Sequence, residues 1–294
     1  MELRQLLYAL KVAEHRSFSK AAESLHIAQP SLSQQVAKLE QGLGVQLFDR
    51  TNTPLEPTYA GERFVLHAAQ VLDKVEQIQS EMRDLADMKN GRLILGSLPM
   101  TGSHVLPAVL SIFCDKYPGI EVVLIEETTA VLEELTAKGK TDLALLTLPV
   151  EQSQLDWIPL VDEAICLAVP AKHRLAKEGQ VDVKELKDES FIFLKKGQGF
   201  RQISHDICTQ AGFEPHVIFE SSNIDTVQSL VGAGMGIAFV PEMVKKQGSG
   251  DPLLPHYLAL LPEKPTRTLI CAYKKGRYLS KAAQAFVEIL TKSI

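Results

Sequence analysis

The spacing of apolar residues changes once along the chain and separates an N-terminal part from the remainder. Up to about residue 85, apolar residues recur every three or four positions, which predicts amphipathic helices. From Arg92 onward, short apolar runs alternate with helical stretches, the pattern of an α/β fold. We therefore expect an all-α N-terminal domain over residues 1–58, a long linker helix over 59–90 and an α/β domain over 91–294.

Residues 17–43 predict two short helices joined by a tight break at 26–28. Ser17 or Ser19 can cap the first helix by accepting the free amides of its opening turn. Pro30 lies in the first turn of the second helix, where its missing N–H costs nothing. Inward positions of the second helix are Leu32, Val36, Leu39 and Leu43. This layout is that of a helix-turn-helix motif, over about residues 18–37.

The outer face of the second helix carries small and polar residues that suit a DNA major groove. Glutamine can pair with the adenine edge, and serine can reach a phosphate. We expect Gln29 and Gln34 to contact bases and Ser33 to contact the backbone. With the wing residue described next, the DNA-binding candidates are Gln29, Pro30, Ser31, Ser33, Gln34 and Arg50. The alternative is a helical pair in an ordinary core, with its Gln and Ser side chains merely solvated.

A short hairpin, or wing, is predicted over residues 45–58, with its turn through 51–54. Arg50 lies at its edge, where it could bind a phosphate or remain a solvated surface arginine. Thr58 then caps the linker helix. Apolar residues of that helix follow a heptad spacing: Phe64, Ala68, Val71, Val75, Ile78, Met82 and Leu85. A sustained heptad favours pairing with a second copy of the chain, although packing against the chain's own next domain is an alternative.

Two similar α/β lobes are expected in the rest of the chain, because a second strand-helix series begins near Ala164. Predicted strands cover 93–97, 120–126, 143–148, 164–169, 191–194, 217–220, 237–240 and 268–273. Predicted helices cover 105–116, 131–137, 200–211, 225–232 and 279–291. This alternation is typical of parallel sheets.

Ligands of open α/β sheets bind beyond the C-terminal strand ends, where helix N-termini offer free amides. Hydroxyls, glycines and a few cations follow the predicted strands, which suits a small polar or anionic ligand. The alternative is ordinary capping and turn chemistry. Lys195 and Arg201 are candidates for effector binding on charge alone.

The N-terminal residues closely resemble the LysR-type transcriptional regulators. The resemblance rests on Phe18-Ser-x-Ala21-Ala22-x-x-Leu25, Ala28-Gln29-Pro30-Ser31-Leu32-Ser33-x-Gln35-Val36, Leu39-Glu40, Leu43-Gly44, Leu47-Phe48 and Arg50. It is dense over residues 2–62 and becomes one of architecture over the remainder.

This resemblance implies a winged helix-turn-helix domain and a two-lobe effector domain similar to a periplasmic binding protein. Lobe I would cover 92–162 and 267–294, and lobe II 163–266, with an effector cleft between them. Cleft positions implied by the family are Ser97, Thr101, Thr128, Thr147 and Phe200. The implied partners are double-stranded promoter DNA and further copies of the chain, as dimers and tetramers, with RNA polymerase as another candidate. We expect no cofactor beyond a small-molecule effector, and no metal.

Composition bears on the classes of protein to which this chain could belong. The 294 residues are 45% hydrophobic and 23% charged, which is typical of a globular protein. Without a signal-peptide pattern or an apolar window near ~20 residues, we expect a cytoplasmic protein with no membrane segment. The eight scattered histidines lie in no catalytic motif, which disfavours the alternative of a two-lobe enzyme. The other alternative, a two-lobe solute-binding protein, would need export, which nothing in the sequence supports. A cysteine redox sensor at Cys208 is a further alternative, but no second cysteine is near it in sequence.

The net charge of −5 is unusual for a DNA-binding protein. Residues 1–58 are balanced rather than basic, so we expect one DNA-binding head to bind weakly and several to act together.

Overall fold

The computed structural model forms two compact units, Met1–Ala86 and Asp87–Ile294. The residues that the structure describes are 1–51, 54–86, 91–246, 253–262 and 264–294. The predicted wing turn (residues 52 and 53) and the predicted linker end at Asn90 therefore lie outside the described residues. Within a described range, the side chain of the predicted seam residue Leu85 also lies outside the description.

Three helices, a two-stranded hairpin and a long helix make up the first unit. In chain order they are α1 (Leu3–His15), α2 (Phe18–Ser24), α3 (Gln29–Leu43), β1 (Phe48–Asp49), β2 (Glu56–Pro57) and α4 (Tyr59–Ala86). Ser17 caps α2 by accepting from the Lys20 amide at 3.4 Å. His26 takes a left-handed conformation in the break between α2 and α3, and Gly44 does the same at the end of α3. These caps confirm the predicted helix-turn-helix layout.

The core of this unit lies between the helices and the hairpin. Its fully buried members are Ala9, Val12, Ala21, Ala22, Leu32, Val36, Leu39, Leu47 and Phe48. The hairpin is antiparallel, with Phe48 opposite Pro57. Thr58 caps α4 through its Oγ1, which accepts the Gly61 amide at 3.0 Å. Gly61 allows α4 to approach the hairpin closely, since a Cβ there would come 1.9 Å from the Leu47 carbonyl oxygen.

The second unit contains ten strands and five helices among its described residues. The strands are β3 (Gly91–Ser97), β4 (Ile120–Glu126), β5 (Leu143–Thr147), β6 (Leu155–Val169), β7 (Gln180–Asp182), β8 (Ser190–Leu194), β9 (His216–Ser221), β10 (Ala238–Pro241), β11 (His256–Leu261) and β12 (Thr266–Lys274). The helices are α5 (Pro99–Lys116), α6 (Thr129–Ala137), α7 (Gly199–Gln210), α8 (Ile224–Gly232) and α9 (Lys281–Ser293). Two short 3-10 turns cover Val183–Leu186 and Glu242–Val244.

One long strand, β6, is shared by two lobes. Strand order is β4-β3-β5-β12-β6-β11-β7, with β10 also paired to β6. The first part of β6, up to Ala164, pairs with β12, and its last part, from Ile165, pairs with β10 and β11. The chain therefore passes between lobes along β6 and returns to the first lobe as β12 begins.

Each lobe has its own apolar core. In the first lobe, α5 and α9 pack against the sheet around Phe113 and Phe286, whose rings meet edge to face at 5.5 Å. In the second lobe, the core surrounds Phe191, which contacts Phe193 and Phe239.

The prediction of parallel sheets is only partly right. β3 pairs in parallel with β4 and β5, and β8 with β9, but β12 and the second-lobe partners of β6 run antiparallel. β7 and β11 were not predicted. The predicted strand 164–169 is only the end of the longer β6. Its earlier part was missed because Pro159 interrupts the apolar run in the sequence, and the pairing with β12 shifts register at that point, between Leu269 and Ile270.

Candidate functional site

The outer face of α3 presents polar residues on a closed core. Gln29, Pro30, Ser31 and Gln34 are exposed and Ser33 is half-buried, while Leu32, Val36 and Leu39 are buried behind them. Ala28, at the N-cap, makes no side-chain cap, so the opening amides of α3 are not bonded by the capping side chain. The expectation that Leu43 points inward is wrong. Its side chain is 39% exposed, because α3 ends there, beyond the reach of the core.

Glu40 ties the end of α3 to the wing and holds Arg50. Its Oε1 accepts the amides of Leu47 at 2.8 Å and Phe48 at 3.3 Å. Its Oε2 accepts from Arg50 Nη2 at 3.0 Å. The Arg50 guanidinium also lies 5.3 Å from the centre of the Phe18 ring. Arg50 is therefore positioned by neighbours in the fold rather than being a freely solvated side chain.

The predicted heptad seam on α4 has two different environments within one chain. Ala68 is buried and Phe64 packs against the N-terminal core. Farther along, Val71, Ile78 and Met82 are each about half exposed, while Val75 is intermediate. Such a row of large apolar side chains on one helix face is typical of a surface that packs against another helix.

Loops that follow the strands of both lobes meet around a cavity of about 340 Å³. From the first lobe it is lined by Leu98, Pro99, Met100, Ser103, Glu126, Glu127, Thr128 and Thr147. From the second lobe it is lined by Leu194, Gln198, Gly199, Phe200, Ser222, Asn223, Ile224 and Asp225. Arg267, at the start of β12, completes the lining.

Three of the seven predicted effector-binding residues line this cavity, namely Thr128, Thr147 and Phe200. Ser97 and Thr101 are buried behind it. Ser97 donates to the Leu98 carbonyl at 3.1 Å, and the Thr101 hydroxyl bonds to none of the described residues.

The two predicted cations do not line the cavity either, which corrects the expectation based on charge. Lys195 is exposed outside it. Arg201 donates to the Leu194 carbonyl at 2.7 Å and forms an ion pair with Glu220 at 2.8 Å. Its guanidinium is therefore held by contacts within the second lobe and does not face the cavity.

The sequence reasoning missed Arg267, whose side chain is 1% exposed. Its Nε and Nη2 both lie 2.7 Å from Glu163 Oε2, and its guanidinium lies 5.5 Å from the centre of the Phe200 ring. Burial lowers the pKa of Arg267 below its usual value, and the Glu163 carboxylate offsets only part of that effect. Glu163 Oε1 in turn accepts the Met243 amide at 2.6 Å. Arg267 thus brings a fixed guanidinium to the wall of the cavity.

Four helices begin at the cavity: α5, α6, α7 and α8. No N-cap side chain bonds the opening amides of α5, α6 or α7. Only at α8 does the N-cap residue, Asn223, accept from the amides of Asp225 and Thr226. Free amides and aligned peptide dipoles at a helix start favour a negatively charged group. The cavity therefore offers polar recognition from both lobes.

The described part of the chain contains no group of three or more potential metal ligands. None of its described helices is long and apolar enough to cross a membrane.

Comparison with known families assigns both units of the chain. Residues 3–62 match the model of the bacterial regulatory helix-turn-helix protein, lysR family, and residues 86–294 match the LysR substrate binding domain. The chain belongs to the LysR family of transcriptional regulators. It is accordingly a DNA-binding transcriptional regulator with an effector-binding domain, as the resemblance predicted.

Relatives of this LysR-type regulator align along almost its whole length. An HTH-type transcriptional regulator of Bacillus subtilis, YcgK, is 36% identical, with 100% of this chain and 95% of the relative covered. OxyR of Escherichia coli, a dual regulator, is 31% identical over 99% of this chain and 95% of its own.

Solved structures have the same architecture. A full-length OxyR variant from Pseudomonas aeruginosa superimposes with a TM-score of 0.76 at 26% identity, covering 100% of this chain and 94% of the other. Full-length BenM superimposes with a TM-score of 0.61 at 27% identity, covering 99% and 96%.

We predict that Gln34→Ala relaxes base preference at one operator position, because a good bidentate contact contributes about 1–3 kcal/mol of discrimination. Gln41→Ala is the matched control. Gln41 is exposed on α3 about two turns beyond Gln34, away from the N-terminal end of the helix that we expect to enter the groove. Fluorescence anisotropy on operator variants measures both. Equal preference in wild type and Gln34→Ala would show that another face of α3 reads DNA.

Proposed function

We propose that the first two turns of α3 lie in the major groove of promoter DNA. Support comes from the polar face of Gln29, Ser31 and Gln34, which is exposed on a helix whose opposite face is buried. Gln29 and Gln34 would contact bases, while Ser33 and Arg50 would contact the backbone. Glu40 would act indirectly, because it fixes both Arg50 and the wing. Since its site of action is chromosomal DNA, we place this regulator in the cytoplasm.

A dimer through α4 would bring two such heads to one operator. Each head is nearly neutral, and binding of DNA depends strongly on phosphate neutralisation. Two linked heads gain affinity through effective concentration without added positive charge. The exposed row of Val71, Ile78 and Met82 is the surface available for this pairing. We also propose that such dimers assemble into tetramers and that the DNA-bound protein contacts RNA polymerase.

We predict that Ile78→Lys yields monomers with weak operator binding, because the seam would bury an unpaired charge. Glu76→Lys adds the same side chain at an exposed position of α4 off the seam and should leave dimers intact. Light scattering after size-exclusion chromatography measures the mass of each variant. A dimeric Ile78→Lys protein with normal affinity for DNA would refute pairing through this surface.

The cavity between the lobes is the proposed effector site. It draws polar groups from both lobes, so a ligand there can favour one arrangement of the lobes through contacts that the other lacks. A tenfold shift in that equilibrium needs only about 1.4 kcal/mol of differential binding. Such a shift in the arrangement of the lobes would couple effector binding to DNA binding without any chemical reaction. The proposal therefore requires no catalytic group.

We predict that Thr128→Val weakens effector binding and leaves operator binding nearly unchanged. Thr128 lines the cavity, and its hydroxyl makes no capping bond that the fold would lose. Thr291→Val, an exposed change on α9, is the control. Each protein is titrated with the small-molecule fraction of a bacterial extract, and the shift in melting temperature is measured. Equal shifts in both variants and in the wild type would place the effector elsewhere.

Several relatives are named hydrogen peroxide-inducible genes activators, which makes peroxide sensing a second candidate. The buried thiols of this chain disfavour it. Burial raises the pKa of Cys166, Cys208 and Cys271 to about 12 each. Peroxide attacks the thiolate, which these surroundings suppress. Cys114 is exposed, and all four cysteines are free.

A further inference from the structure

The charges around the effector cavity differ in kind from those expected of an anion site. Arg267 is the sole cation among the described residues that line it, and Glu163 already pairs with that guanidinium. Three carboxylates line the same cavity: Glu126, Glu127 and Asp225. Lys246 Nζ lies 4.0 Å from Asp225 Oδ1. A simple anion would therefore meet more negative side chains than positive ones.

Glu126 and Glu127 are available to bind a ligand. Both side chains are exposed, and neither forms a hydrogen bond or ion pair with any residue that the structure describes. Glu126 Oε1 lies beside Gly102, the fourth residue of α5, where a Cβ would come within 3.2 Å of it. An acidic residue there also complements the α5 dipole. That role accounts for one carboxylate near one helix, but not for an adjacent pair that lines the same cavity as a buried guanidinium.

The opposite charges come from different parts of the unit. Glu126 ends β4 and Glu127 follows it, both in the first lobe. Arg267 packs over Phe200, the second residue of α7 in the second lobe, whose opening amides have no side-chain cap. A ligand with one positive and one negative end would satisfy both regions at once, whereas a dicarboxylate would bring like charges together.

We propose that the effector is a small zwitterion, an amino acid or similar aminocarboxylate. Its carboxylate binds Arg267 and the opening amides of α7, and its ammonium group binds Glu126 and Glu127. This rests on the proposed function of the cavity as the effector site. A volume of about 340 Å³ suits a metabolite of this size, at the lower end of ligand pockets. Such a ligand links the lobes, because the α7 amides belong to the second lobe, whereas Arg267, Glu126 and Glu127 belong to the first.

The test uses the full chain and defined probes. The twenty protein L-α-amino acids are screened by thermal shift, and those that raise the melting temperature are titrated by calorimetry. Each is compared with its N-acetyl derivative and its methyl ester, which remove one charge apiece. Succinate and malate represent anions without an ammonium group. We expect at least one amino acid to bind, and affinity to fall at least tenfold when either charge is removed.

Variants then locate the ammonium site. The double variant Glu126→Gln/Glu127→Gln should bind the amino acid with at least tenfold lower affinity, while Glu121→Gln should bind it as the wild type does. Glu121 is an exposed glutamate at the other end of β4, outside the cavity lining. Melting temperatures of the unliganded variants check that each is folded.

The outcomes separate this inference from the broader proposal. Failure of all twenty amino acids to bind overturns the zwitterion inference. Succinate or malate binding the wild type more tightly than every amino acid also overturns it, yet leaves the cavity as the effector site. An amino acid whose affinity changes in neither the glutamine variant nor Thr128→Val contradicts the site itself.

Discussion

A buried ion pair between Glu163 and Arg267 is the interaction on which the effector-binding unit depends. The two residues are opposite each other where β12 pairs with β6, at the passage between the lobes. Both charges are almost fully removed from water, which costs several kcal/mol per ion unless partners replace the lost solvation. Arg267 has Glu163, and Glu163 has the guanidinium and the Met243 amide. Loss of either partner would leave the other charge buried and uncompensated.

That pair also determines where the cavity presents its cation. Glu163 holds the guanidinium on one side, and the Phe200 ring lies against it on another. Arg267 consequently has little rotational freedom and faces a ligand at low entropic cost, as a preorganised group should. The helices that begin around it need no such support, because their peptide dipoles are fixed by the backbone. The cavity therefore combines a fixed cation and fixed amides with exposed carboxylates.

Helical spacing was enough to predict the helix-turn-helix part of the first unit, because α2 and α3 each bury one stripe of apolar residues. Ser17, Pro30 and Gly44 lie at the helix starts and ends where their chemistry places them. Strand positions in the second unit were also predicted from short apolar runs. The directions in which the strands pair were not predicted. β12 pairs with β5 and β6 only after more than 100 residues of intervening chain, and no feature of the nearby sequence indicates that pairing.

Effector residues were harder to predict for the same reason. Thr128 and Phe200 follow strands directly, so their place at the cavity follows from the order of elements. Lys195 and Arg201 follow a strand too, but Arg201 turns back to Leu194 and Glu220. Arg267 was missed because its partner is 104 residues away. One local signal existed: Arg267 shares the buried face of β12 with Leu269 and Cys271, an inward position where a cation requires a partner.

A double-mutant cycle on Glu163 and Arg267 tests most directly whether this pair holds the unit together. Trp157, the single tryptophan of the chain, lies on β6 opposite Ala272 of β12, so its fluorescence in urea follows unfolding of this unit. Glu163→Leu and Arg267→Met should each lower the free energy of unfolding by about 3–5 kcal/mol, and the double variant should recover much of that loss. Two small, additive losses would contradict the central place given to this ion pair.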